Sequence, residues 1–180
     1  MLGWLYHAIL RRMECRYSYD ATYLHEMVDA APVAARRFLK MQMAGKWQGG
    51  LPREAFHAAA IGGALHEDCG PCVQITTDMA LEAGVAPAVI TALLSGRGDP
   101  ATKLAFDYVR ALLAGDPNLE DLREAAKTQF GEKGLIALSL TAMTARNFPV
   151  LKRAMGHAIE CRRVKIGNAQ IAVAETLRAA

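Results

Sequence analysis

Glycine and proline divide this chain of 180 residues into a succession of helix-length segments. Pro52 and Pro87 each stand where a helix can begin, and Gly84, Gly96 and Gly115 each stand where one can end. Proline suits a first turn because its missing N–H is one that a helix leaves unpaired, and glycine readily closes a helix. We find no sustained alternation of apolar and polar residues of the kind that a half-buried strand requires. The sequence therefore predicts an all-α fold of packed helical hairpins.

The predicted helices have a capping or first-turn residue at the start and glycine or proline near the end. Eight of them cover residues 2–13, 21–30, 32–43, 87–95, 100–114, 119–130, 132–155 and 168–178. Between the third and the fourth of these, one helix begins at residue 52 and a second helix ends at residue 83. We expect Gly131 to break one helix and Pro149 to interrupt another. The helix after Pro52 contains a run of small residues that lets another backbone approach closely: Ala58, Ala59, Ala60, Gly62, Gly63 and Ala64.

The composition fits one domain with one sizeable core, because 52% of the residues are hydrophobic and 22% are charged. We expect a single domain over residues 1–180, with a helical N-terminal extension over 1–50 and C-terminal helices over 149–180. The formal charge of +3 is too small to indicate a nucleic-acid partner.

Residues 1–10 form an apolar run, MLGWLYHAIL, that is about half as long as a membrane span. Arg11 and Arg12 follow the run, whereas a signal peptide carries its positive charges ahead of the apolar segment. We therefore predict a cytoplasmic protein without a membrane partner. The apolar side of the first helix could cover a subunit interface or lie on a membrane surface, and we favour the interface.

The motif that indicates chemistry is Cys69-Gly70-Pro71-Cys72. Its spacing brings two sulfurs within disulfide reach at the start of a helix, where unpaired N–H groups and the positive end of the dipole favour thiolate over thiol. The thiolate is the nucleophile in disulfide exchange and peroxide reduction, and a second cysteine can trap the sulfenic acid as a disulfide. The motif therefore predicts a redox-active pair.

Helical spacing extends the prediction along the helix that follows the motif. One buried face is expected to carry Cys69, Cys72, Val73, Thr76, Met79, Ala80 and Ala83, and Gln74, Thr77 and Asp78 are expected to face elsewhere.

Glu67 is our candidate for the base that removes the thiol proton, because a carboxylate beside a thiol can accept it. The alternative is that Glu67 and Asp68 are solvated acids that favour the start of a helix. We expect His66 to be an exposed loop residue.

Of two other interpretations of the cysteine pair, we reject the first and leave the second open. The thioredoxin fold shares this tetrapeptide but needs a strand leading into it, and residues 58–65 have a helical composition. His157 and Cys161 could join the pair in a four-ligand structural zinc site, which would make the domain a non-catalytic interaction or scaffold module. We predict neither a metal nor a cofactor.

The other conspicuous side chains are assigned structural roles. Cys15 and Cys161 are expected to be buried small hydrophobic residues. Trp4 and Trp47 are expected to be packing or interface anchors, and His7 and His25 receive no role. Four methionines are expected to fill the core: Met41, Met43, Met143 and Met155.

The motif stands in a wider pattern over residues 56–148, which contains Ala80-Leu81-Glu82-Ala83-Gly84, then Ala-Leu-Leu-Ser-Gly, then Ala105-Phe106-Asp107-Tyr108-Val109. These residues resemble the carboxymuconolactone decarboxylase family, in its alkylhydroperoxidase D-like branch. The resemblance implies an all-helical homo-oligomer, commonly a trimer or a multiple of one, with a dimer as the alternative. It also implies that Cys72 attacks a peroxide, that Cys69 resolves the intermediate, and that a dithiol partner supplies electrons.

The chain departs from the redox members of that family at two positions. They carry a histidine four residues after the second cysteine, where this chain has Thr76, and a glutamate twelve residues before the first cysteine, where it has His57. Thr76 cannot act as a base at neutral pH, but its hydroxyl can donate a hydrogen bond to a thiolate.

The sequence thus predicts a thiol oxidoreductase acting on hydroperoxides or disulfides, with Cys69 and Cys72 as the redox pair. His57 or Glu67 would move the proton. Lactone decarboxylation is the less favoured activity, because the resemblance implies that members with that activity do not rely on a cysteine pair.

Overall fold

The computed structural model describes residues 3–157 and 163–173, and the part it describes is helical apart from one small hairpin. The predicted all-α class is confirmed. In chain order the elements are α1 (Gly3–Tyr17), α2 (Thr22–Ala30), α3 (Pro32–Gln42), a 3₁₀ turn (Met43–Lys46), α4 (Arg53–His66), α5 (Gly70–Glu82), α6 (Pro87–Leu94), α7 (Pro100–Ala114), α8 (Leu119–Ala154), β1 (Arg163–Ile166) and β2 (Ala169–Ala172).

Helix α4 lies at the centre of the fold, against α5, α7 and α8. A Cβ atom added at Gly62 would lie 3.1 Å from Phe106, and one added at Gly63 would lie 2.7 Å from the Cβ atom of Ala145. Both separations are shorter than ordinary van der Waals contact, so α7 and α8 reach α4 only because these two residues lack side chains. The close approach predicted for the small residues is confirmed.

Helix α8 changes direction at Gly131, whose backbone is non-helical (φ 71°, ψ 177°), as predicted. The predicted interruption at Pro149 is wrong: Pro149 is buried within the helix, which continues to Ala154. Among the described residues, α8 alone is long and apolar enough to cross a membrane by length and composition. Its residues Ala137 and Leu138 are fully buried in a cluster with residues of α4 and α7.

The predicted last helix, residues 168–178, is wrong over its described part. Residues 163–172 form an antiparallel hairpin in which Ile166 pairs with Ala169 across a two-residue turn, Gly167-Asn168. Gly167 adopts a positive φ of 59°, as such tight turns require. The alternation that we did not find in the sequence is present in β1, where Val164 and Ile166 are buried between exposed neighbours. Residues 174–178 lie outside the described part of the chain.

Several assignments of side chains to the core are also wrong. Cys15 is a free, exposed cysteine, and Cys161 lies outside the described residues. Met41, Met43 and Met143 are exposed, whereas Met155 is partly buried against the cluster formed by α1, α2 and the end of α8.

Candidate functional site

The two cysteines of the motif form a disulfide at the start of α5, with their Cα atoms 5.2 Å apart. Cys69 is the N-cap residue in an extended conformation, and Pro71 occupies the first turn of the helix that begins at Gly70. Only 2% of Cys69 and 4% of Cys72 is exposed. The predicted placement of the pair at a helix start is confirmed, and the sulfurs are almost completely covered.

The buried face of α5 agrees with the predicted face at both cysteines, Val73 and Ala80, and departs from it at Thr77 and Met79. Its buried residues after the motif are Val73, Thr77 and Ala80, whereas Met79 is exposed. Thr76 is half-buried, and its hydroxyl donates to the backbone carbonyl of Cys72 rather than to a sulfur. The hydrogen bond to a thiolate that the sequence allowed for Thr76 is therefore directed into the helix backbone.

Glu67, two residues before the motif, is buried and ion-paired. Its Oε1 lies 2.7 Å from Nη2 of Arg146, and its Oε2 lies 3.2 Å from Nη1 of Arg153. The interpretation of Glu67 as a solvated acid is therefore wrong, although Asp68 is exposed. Within the described residues, the carboxylate forms no hydrogen bond to either sulfur. Its role as a proton acceptor stays a prediction.

The two histidines of α4 are half-buried, and neither hydrogen-bonds to a sulfur within the described residues. Burial lowers the pKa of His57, and nearby Arg53 lowers it further, so His57 is neutral at pH 7 and able to accept a proton. His66 is the last residue of α4 rather than an exposed loop residue, and burial also lowers its pKa. The role of His57 as a base stays a prediction.

The structure brings three residues to the pair that the sequence did not single out. The Tyr19 hydroxyl lies 3.9 Å from Sγ of Cys72 and 2.9 Å from the Tyr23 hydroxyl. The ammonium group of Lys152 lies 4.6 Å from the centre of the Tyr19 ring, and the residue has no exposed surface. Tyr19 and Cys72 are 53 residues apart in the chain, so no local pattern could have connected them.

The hairpin packs against α5, the helix that begins at the pair. Val164, Ile166 and Val173 belong to the same buried cluster as both cysteines. The Gln74 side chain joins α5 to β1: its Nε2 donates to the Lys165 carbonyl over 2.9 Å, and its Oε1 accepts from the Lys165 N–H over 2.7 Å.

An open groove of about 500 Å³ runs beside this junction and has charged and polar walls: Arg16, Tyr17, Gln74, Asp78, Glu82 and Lys165 line it. Arg16 and the Tyr17 hydroxyl both bond to the Glu82 carboxylate. Because the sulfurs are almost fully covered, a substrate reaches them only if the surrounding structure opens.

The described residues thus combine a helical fold, with one small hairpin, and a covered disulfide at a helix start. The model of the carboxymuconolactone decarboxylase family matches residues 32–114, so this part of the chain is similar to that family. The match covers α3 to α7 and includes both cysteines, whereas the resemblance was expected over residues 56–148. Searches of curated proteins and of solved structures found no match.

Proposed function

We propose that the protein is a thiol-dependent oxidoreductase that reduces hydroperoxides or disulfides through Cys69 and Cys72, as in the alkylhydroperoxidase D-like branch of that family. The observation that carries the proposal is the disulfide between these residues at the start of α5. Helix-start N–H groups favour the thiolate that the reduced pair would need.

In the proposed cycle, an external dithiol reduces the disulfide, supplying two electrons and two protons and becoming a disulfide itself. The Cys72 thiolate then attacks the hydroperoxide: the S–O bond forms as the O–O bond breaks, and the leaving alkoxide takes a proton. The Cys69 thiol condenses with the resulting sulfenic acid, releasing water and restoring the disulfide. His57 or Glu67 would accept the proton that Cys72 gives up.

The setting of this chemistry is also part of the proposal. A pair that must be re-reduced by a dithiol in each cycle suits a reducing compartment, and we place the protein in the cytoplasm as a homo-oligomer. The proposed partners are a small hydroperoxide or disulfide as substrate and a dithiol as reductant, with no role for nucleic acid, membrane, metal or cofactor.

Replacing either cysteine of the pair tests the proposal. Cys69→Ser and Cys72→Ser should each abolish dithiol-dependent consumption of an alkyl hydroperoxide and of a small disulfide, because each removes one sulfur of the cycle. Cys15→Ser is the control, since Cys15 is exposed and outside the disulfide. Full activity in both variants of the pair would refute the proposal.

A second candidate is a non-catalytic helical module in which the disulfide only stabilises the fold. The burial of both sulfurs favours it. Under this candidate, Cys69→Ser and Cys72→Ser would lower the free energy of unfolding, and the parent protein would consume no peroxide or disulfide.

The structural zinc site would be one form of this module. The described residues contain no group of three or more metal-binding side chains, His157 pairs with Glu26, and Cys161 lies outside the described part. Metal analysis of protein purified without chelator decides it, since one tightly held zinc per chain would contradict the redox proposal. Lactone decarboxylation, the remaining alternative, would survive both cysteine substitutions.

A further inference from the structure

Cys72 has a hydroxyl neighbour outside its own helix. Tyr19 follows α1, is 7% exposed, and places its hydroxyl 3.9 Å from Sγ of Cys72. Burial raises the pKa of Tyr19, so its phenol keeps its proton in the neutral range. At neutral pH it can therefore donate a hydrogen bond but cannot act as a base.

A network behind the phenol keeps it oriented. The Tyr23 hydroxyl lies 2.9 Å from that of Tyr19 and can donate to it, which leaves the Tyr19 proton for the sulfur. The Lys152 ammonium lies over both rings and donates to the backbone carbonyl of Asp20 over 3.1 Å. The Asp20 carboxylate itself accepts from the hydroxyl and N–H of Thr22.

A fully buried ammonium is expensive, since burial lowers the pKa of Lys152 by penalising the charged form. Its cation–π contacts and its bond to Asp20 offset part of this cost. A cation over a phenol ring also draws electron density from the ring, which strengthens the hydroxyl as a donor. The charge therefore acts on the sulfur through Tyr19.

We propose that Tyr19 is the hydrogen-bond donor that stabilises the Cys72 thiolate once the disulfide is reduced, and that Lys152 is a positioning residue that acts through it. The inference rests on the proposed function, because only a reactive thiolate needs a hydrogen-bond donor. Thr76 does not supply that donor, since its hydroxyl donates to the backbone carbonyl of Cys72. When a dithiol has delivered two electrons and two protons, Cys69 is a thiol, Cys72 releases its proton, and the Tyr19 O–H turns to the anionic sulfur.

The test measures the pKa of the Cys72 thiol directly. In a protein carrying Cys15→Ser, Cys69→Ser and Cys161→Ser, Cys72 is the only thiol left, and its alkylation by iodoacetamide is followed against pH. Tyr19→Phe keeps the ring and removes the donor, so the pKa of Cys72 should rise by about one to two units, the usual value of a hydrogen bond to a charged group. For a thiol that starts with a pKa of about 6, the alkylation rate at pH 7 then falls by about twofold to tenfold.

Tyr108→Phe is the matched control. Tyr108 is also buried, and its hydroxyl bonds to Oγ of Ser139 over 3.1 Å, in a cluster that does not include the cysteines. This change deletes the same atom from a buried tyrosine and should leave the pKa of Cys72 unchanged. A general loosening of the fold would move both variants together.

Lys152→Met tests the positioning residue, because methionine fills a similar volume without charge. It should raise the pKa of Cys72 by less than Tyr19→Phe does, and Lys152→Arg should restore part of the shift. If Lys152→Met does not fold, as judged by circular dichroism, Tyr19→Phe alone decides.

A pKa for Cys72 that Tyr19→Phe leaves within about 0.3 units of the parent overturns the inference. Peroxide and disulfide turnover, measured separately on the parent protein, tests the proposed function. A shifted pKa without turnover would refute the function and keep the inference, and turnover with an unshifted pKa would do the reverse.

Discussion

At the scale of single residues, two buried charges near the motif are held in different ways. Glu67 is 5% exposed and is met by the guanidinium groups of Arg146 and Arg153, each about half exposed. Lys152 is met by aromatic rings and a carbonyl oxygen. The first arrangement ties the loop before Cys69 to α8, and the second ties α8 to the segment that carries Tyr19.

Glu67→Gln should lower the free energy of unfolding by about 2 kcal/mol. Removing one partner of a buried ion pair is costly, but the two arginines can turn their charges to water. Urea unfolding measures the change, with Glu120→Gln as the control because Glu120 pairs with Arg123 in an exposed position. The control should leave the unfolding midpoint in place. Equal midpoints for Glu67→Gln and the parent would show that the buried pairs do not stabilise the fold.

The sequence located the sulfurs but not their neighbours. The predicted buried face of α5 was right at Cys72, Val73 and Ala80, but helical spacing did not show that Thr77 rather than Thr76 would be buried. Tyr19 and Lys152 come from opposite ends of the chain, and only the tertiary fold brings them to Cys72. The sequence predicted Glu67 as a proton acceptor, which stays a prediction, and did not predict its arginine partners because they are 79 or more residues away.

At the scale of elements, the amide of the Gln74 side chain forms the same pair of hydrogen bonds to β1 that the backbone of a neighbouring strand would form. It accepts from and donates to the backbone of Lys165, so that α5 pairs with β1 as a neighbouring strand would. The hairpin is thereby held over the cluster that contains both cysteines. Opening this side of the site requires breaking two hydrogen bonds to one side chain.

Gln74→Ala should speed reduction of the disulfide by dithiothreitol about thirtyfold. Two net hydrogen bonds are worth about 2 kcal/mol, and losing them lowers the free energy of local opening by a similar amount. Thiol trapping and mass spectrometry at timed intervals measure the rate. Gln170→Ala, on the exposed face of β2, is the control and should reduce at the parent rate. Identical rates in all three proteins would mean that access does not pass the hairpin.

Among the elements, sequence reasoning succeeded where a boundary has a local cause. Proline and glycine bound α6 and α7 within one or two residues of their predicted limits, and Gly131 divides α8. The hairpin was missed because each strand has four residues, too few for alternation to stand out. Pro149 was misread because a helix packed against neighbours can tolerate the loss of one hydrogen bond.

At the scale of the whole molecule, α1 leaves an apolar face uncovered in the single chain. Trp4 is 69% exposed, and Leu5 and Ile9 beside it are also exposed. Helix α8 exposes Ile136, Met143 and Val150 at seven-residue intervals, which makes a competing face. The expected homo-oligomer would cover one of these two surfaces.

We expect the parent protein to sediment as an oligomer and Trp4→Asp to shift it towards monomer. Tryptophan is enriched among residues that dominate interface energies, and a buried carboxylate would oppose association. Sedimentation equilibrium measures the mass, and Met143→Asp places the same charge on α8 for comparison. Dissociation by Met143→Asp alone would move the interface to α8, and a monomeric parent would contradict the expected assembly.

The region that the family model matches, residues 32–114, contains both cysteines. It does not contain the tyrosine beside Cys72, the lysine over that tyrosine or the two arginines that pair with Glu67. Tyr19 precedes it, and Arg146, Lys152 and Arg153 follow it. Two relatives could therefore share the whole matched core and still differ in reduction potential, because the flanking helices set the surroundings of the sulfurs. Chimaeras that exchange these flanks around an unchanged core would separate the proposed reaction from the effect of the flanks on it.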